Sequence, residues 1–189
     1  MFIQTESTPN PNTMKFLPGQ PVLGDKTAFF TDADNAKASP LASALFVLKD
    51  IRAVFFGGDF ITVTKTESAN WDVLKAQILT TVMEHYQSGL PLMAASKPEK
   101  SEAGADYSAD EQEIVDQIIE MIETRVRPAV AQDGGDIVFR NFDESTGVVQ
   151  LELHGSCSGC PSSTITLKSG IENMLKHYVP EVTSVEAVA

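Results

Sequence analysis

At 189 residues and 42% hydrophobic composition the chain can bury one large core or two small ones, which excludes wholesale disorder. A formal net charge of −12 is the wrong sign for nucleic-acid binding, and no apolar run approaches the roughly 18 residues of a membrane span. Two cysteines are too few for a disulfide framework.

The opening stretch, MFIQTESTPNPN, shows neither a basic segment followed by an apolar one nor an Arg-rich amphipathic presequence. It reads as the start of a soluble cytosolic protein, or of a matrix protein after processing. A short strand is expected around Phe2–Thr5. Pro9, Asn10, Pro11, Asn12 and Pro18 then dictate turns. Ala28–Thr31 suits a second strand. Pro40–Leu48 suits a short helix, with Pro40 early and Leu41, Ala44, Leu45 and Leu48 on one stripe. Two β-rich runs joined at Gly57-Gly58-Asp59 signal a hairpin. Trp71–Tyr86 reads as an amphipathic helix through Val73, Leu74, Ile78, Val82 and Tyr86, with Gly89 as its stop. His85, late in that helix, is expected at the surface.

Residues 91–106 have linker composition: Pro, Ser, Ala, Gly and mixed charges, with no apolar period. They divide the chain into small α+β domains at 1–90 and 107–189. The charge divides unevenly too, at −2 for the first, −1 for the linker and −9 for the second.

Ser108 and Glu111 have capping-box spacing, and Val115, Ile118, Ile119, Ile122 and Val126 follow at helical intervals. Pro128 is expected to kink or end this helix near Arg127. Gly134-Gly135 turns into a strand through Ile137 and Phe139, Asp133 and Asp136 serving turn chemistry. After a turn near Ser145–Gly147, the alternation of Val149, Leu151 and Leu153 predicts a half-buried strand. A helix fits Pro161–His177, with His177 at the surface, and TSVEAV suits a closing strand. The order is α-β-β-α-β, a sheet with two helices on one face.

Both cysteines lie in HGSCSGCPSS, between the strand and the last helix. Pro161 suits a first helical position, which places Cys160 near the N-cap, where amides and the helix dipole favour thiolate. Ser156, Ser158 and Gly159 are small enough to let the backbone wrap a bound group. In a reducing compartment a lone C-x-x-C more often holds metal or does redox work than bridges a fold. Three states compete. Zinc would take His154 as a third ligand, although that residue falls on the polar face and reads as exposed. A Cys157–Cys160 redox pair would follow thioredoxin-like logic, although here a β-hairpin precedes the motif. An iron–sulfur cluster commonly takes four thiolates, which two chains would supply.

RPAVAQDGGDI (127–137) followed by LHGSCSGCPSSTITLKSGIE (153–172) closely resembles the C-terminal NifU-like domain of the Nfu family of iron–sulfur carriers. MFIQTESTPNPNTMKF with FFGGDFITVTK is similar to that family's N-terminal domain, so the resemblance covers almost all but the linker. It implies a non-enzymatic carrier that takes a [4Fe-4S] cluster from an assembly scaffold, holds it between two chains through Cys157 and Cys160, and passes it to apo-enzymes. It also implies partner recognition by the first domain. Localisation is expected to be cytoplasmic as in a bacterial member, with the mitochondrial matrix as the alternative. The acidity near the loop, at Asp133 and Glu152, is expected to assist release of an anionic cargo.

Overall fold

The computed structural model describes residues 2–94, 107–158 and 161–188, with the side chains of 161–164 not described. The chain falls into two compact units, Met1–Glu99 and Lys100–Ala189. Residues 95–106 of the expected 91–106 linker lie outside the described residues, as do Gly159 and Cys160.

In the first unit the strands are β1 (Gln4–Ser7), β2 (Thr13–Leu17), β3 (Ala28–Phe30), β4 (Ile51–Phe56) and β5 (Ile61–Lys65). They form one antiparallel sheet in the order β1-β2-β5-β4-β3. Helices α1 (Pro40–Val47) and α2 (Trp71–Ser88) pack on it. The β4–β5 hairpin turns at the Gly57-Gly58-Asp59 stretch as expected, and α1 is capped by the Ser39 hydroxyl accepting from the Ala42 amide.

Four expectations need correction here. The first strand begins at Gln4, leaving Phe2 80% exposed. The segment read only as turns contains β2, with Phe16 fully buried between β1 and β5. Turns flank the strand on both sides, at residues 8–12, where the Asn12 amide donates to Asn10 Oδ1 and Thr8 donates to the Thr13 carbonyl, and after Pro18, where Gly19 has a left-handed φ of 77°. A five-residue strand between prolines is too short to show a period, and its partner β5 lies some fifty residues on. The third correction is on α2, where Val73 is 63% exposed. The fourth is His85, which is 6% exposed and continues the buried stripe of Leu74, Ile78 and Val82. Burial pushes its imidazole below the ordinary value, and Nε2 has no hydrogen-bond partner among the described residues. Gly89 closes the helix in the left-handed conformation, as expected of a stop.

The second unit runs α3 (Ala109–Met121), a wide π-type turn at Ile122–Val126, α4 (Arg127–Gln132), β6 (Gly135–Asp143), β7 (Val148–Gly155), α5 (Pro161–Tyr178) and β8 (Ser184–Val188). The Ser108–Glu111 capping box forms as its spacing predicts. Strand β7 is central, antiparallel to β6 and parallel to β8. Val115, Ile118 and Ile122 meet Ile137, Val149, Leu151, Ile171, Leu175 and Val185 in one core. This is the expected α+β order. Pro128 neither ends nor simply kinks the helix. It has no amide hydrogen for the Thr124 carbonyl and its ring crowds that oxygen. The backbone widens by one residue instead, and Arg127 donates to the Ile122 carbonyl.

The folded protein holds His85 neutral, whereas the unfolded chain takes up a proton near the ordinary value of 6.5. Stability of the first unit is therefore full above that pH and declines as pH falls toward the lowered folded value. Urea unfolding followed by Trp71, the only tryptophan, will show a midpoint that drops between about pH 7 and 5.5. His85→Leu will flatten that dependence.

Candidate functional site

Strand β7 ends at Gly155, which has a left-handed φ of 64°, and α5 begins at Pro161. The cysteine loop therefore spans a strand-to-helix junction. Beneath it lies the 133–135 turn between α4 and β6. Ser156 donates its hydroxyl to the Asp133 carbonyl at 2.6 Å and its amide to the Gly134 carbonyl at 3.2 Å. The Ser158 amide closes the turn onto the Gly155 carbonyl at 3.1 Å. Gly134, at φ 81°, and Gly155 bracket the stack, and Gly135 pairs with Gly155 across β6 and β7.

Cys157 is 7% exposed and belongs to the apolar core of the second unit. Its Sγ sits over Gly135, where an added Cβ would come within 2.8 Å of the sulfur. That glycine is needed for room rather than for rotation. Cys160, the other expected ligand, lies outside the described residues, so the structure does not place the two thiols together.

Asp136 is more than a turn residue. It is 4% exposed, and Arg127 grips it with two bonds, Nε to Oδ1 at 2.8 Å and Nη2 to Oδ2 at 2.9 Å. The remaining arm of Arg127 reaches Glu123 at 2.7 and 2.9 Å. These bonds, Asp136 first, hold the guanidinium further above its ordinary value. Asp136 Oδ1 also accepts the Ile137 amide at 2.8 Å. Sequence reading missed Arg127, although RPAVAQDGGD contains both partners nine residues apart.

His154 is half-buried rather than exposed, and its Nε2 lies 2.7 Å from Glu152 Oε1. Arg140 bonds the other Glu152 oxygen. Burial raises the Glu152 carboxyl, but the bonds from His154 and Arg140 outweigh it and keep the group below its ordinary value. Both of its oxygens are therefore paired. Among the described residues no three His, Cys, Asp or Glu side chains are grouped to hold a metal ion.

Residues 3–89 match the family described as "Scaffold protein Nfu/NifU N terminal", and residues 118–186 match the "NifU-like domain". The chain is 50% identical over 189 residues to human "NFU1 iron-sulfur cluster scaffold homolog, mitochondrial", covering 100% of this chain and 72% of that one. It is 50% identical over 186 residues to "NifU-like protein 5, mitochondrial" of Arabidopsis thaliana, covering 98% and 67%. A solution structure of a NifU-like protein from Saccharomyces cerevisiae is 24% identical, with a TM-score of 0.46, and covers 51% of this chain and 87% of that one.

The close approach at Gly135 has a measurable consequence. Gly135→Ala will cost about 1–3 kcal/mol, because the methyl group meets both Sγ of Cys157 and the His154 carbonyl at 2.8 Å. Gly170→Ala, on α5 with nothing within 4 Å, will instead stabilise by about 0.5–1 kcal/mol. Thermal unfolding of the two variants side by side checks both signs.

Proposed function

Because the chain belongs to the Nfu/NifU scaffold-protein family, we propose that it carries an iron–sulfur cluster as cargo, bound through Cys157 and Cys160. The observation that carries this reading is the place of Cys157 on a loop of small residues at a strand-to-helix junction, with its Sγ over Gly135. Gly155, Ser156 and Ser158 flank it in that loop, and Ser156 ties the loop to the 133–135 turn.

The cysteine count sets the assembly. The chain holds two cysteines, and an iron–sulfur cluster commonly takes about four thiolates. The cargo is then a [4Fe-4S] cluster shared by two copies of the chain, each giving Cys157 and Cys160, with the homodimer tied to the cluster. Donors are iron–sulfur scaffold proteins, and acceptors are apo iron–sulfur enzymes. Release proceeds by exchange, an incoming thiolate replacing one carrier thiolate at a time. Since Cys157 lies in the core, ligation requires its Sγ to turn toward solvent, which couples cargo binding to a movement of the loop. The role is carriage rather than catalysis. The first unit serves recognition of partners. Relatives whose names carry the word mitochondrial support the matrix alternative over the cytoplasmic placement.

Anaerobic reconstitution with ferrous iron and sulfide tests the reading. Iron analysis and Mössbauer spectroscopy will give about four irons per two chains, with light scattering reporting a dimer. Cys160→Ser will abolish retention. Cys157→Ala will do the same while sparing the core a buried hydroxyl, whereas Cys157→Ser adds about 1–3 kcal/mol of destabilisation. A monomer with a complete cluster would overturn the shared site. Iron-free protein that reduces disulfides would favour the Cys157–Cys160 redox pair, and stoichiometric zinc would favour a structural metal module.

A further inference from the structure

We propose that Arg127 is a positioning residue for Cys157. The proposal rests on the reading of Cys157 as a working thiol, but its chain of contacts is independent of any cargo. Arg127 stands at the first position after the wide turn at Ile122–Val126. Its fork closes on both oxygens of buried Asp136, and its third nitrogen is tied back to Glu123 one turn earlier. Asp136 is the second residue of β6 and also bonds the Ile137 amide, so the clamp fixes the start of that strand. Directly before Asp136 comes Gly135, the surface against which Cys157 Sγ rests. Directly before that come Gly134 and Asp133, whose carbonyls accept both bonds from Ser156. Both bonds from Ser156 and the close approach of Cys157 Sγ thus fall on the three residues preceding the clamped aspartate.

The arrangement explains why so polar a group is buried beside an apolar core. A bidentate guanidinium–carboxylate pair fixes direction as well as distance, and Lys could not reproduce its fork. With the clamp gone, the turn keeps its glycines but loses its only charged anchor among the described residues. Cys157 then loses its shelter without the core around Val149 and Leu175 being touched.

The test reads thiol reactivity on the full chain prepared without iron. In a Cys160→Ser background Cys157 is the only thiol, and its alkylation by iodoacetamide reports opening of the loop. Arg127→Gln will raise that rate about tenfold or more, the scale on which groups that orient ligands act. The increase will be independent of urea at low concentration, the mark of local rather than global opening. Asp136→Asn will do likewise. The double variant Arg127→Gln/Asp136→Asn leaves no unpaired buried charge, so it folds even where a single variant does not. Its rate will be no faster than either single, since both act through one bond pair. Val185→Ala, a core deletion on β8, serves as the control for general destabilisation. Equal exposure of Cys157 in Val185→Ala at matched stability would overturn the proposal, as would rate increases that multiply in the double variant. Because alkylation needs no iron, failure of the carrier reading would appear separately, as absent iron with these rates unchanged.

Discussion

Pro128 cannot donate a hydrogen bond, and the geometry of the second unit follows from where that missing donor falls. One extra residue in a helical turn rotates everything after it by about 100°. Here the addition lies between Ile122 and Val126, upstream of both Arg127 and the turn that underlies the cysteine loop. The proline therefore acts at a distance of some thirty residues from Cys157, through an arginine, an aspartate and two glycines. The exposed end of that series, the arginine–glutamate pair, contributes little. The weight falls on the buried end, where Asp136 without Arg127 would be an uncompensated charge.

How much of this was legible beforehand depends on the range of the interactions. Local rules placed the capping box at Ser108 and Glu111, the hairpin at Gly57–Asp59, the stop at Gly89 and the strand-to-helix junction around the cysteines. Each is decided by residues within about one turn of helix or hairpin. Strand β2 was hidden because Thr13–Leu17 becomes a strand only by pairing with Ile61–Lys65. The burial of Cys157 was hidden for a related reason: its serine and glycine neighbours carry no apolar pattern, and only the fold brings Gly135 beneath it. The π-type turn was half visible, since Pro128 announced a disturbance but not whether the helix would stop, bend or widen. Spacing alone left three alternatives at the cysteine pair, and family membership favours the iron–sulfur one among them.

The two units handle buried polarity in opposite ways. In the second, Asp136 meets a full complement of donors from Arg127 and Ile137. In the first, His85 sits in the apolar stripe of α2 with its ring edge-on to Tyr86 and one nitrogen unsatisfied among the described residues. One site is stable because charge is answered. The other is stable only while its ring stays uncharged.

Strand β8 supplies Val185 to the core and pairs along β7, the strand that delivers the cysteine loop. On a ribosome that strand is completed after the rest of the second unit, about 28 residues beyond Cys160, or roughly a few seconds at ordinary elongation rates. The first unit has all five strands and both helices complete by Ser88 and can close while synthesis continues. The sulfur of Cys157 thus emerges into the cell before its own hydrophobic shelter exists. A nascent chain is open to oxidants during that interval, before any folded core covers the thiol.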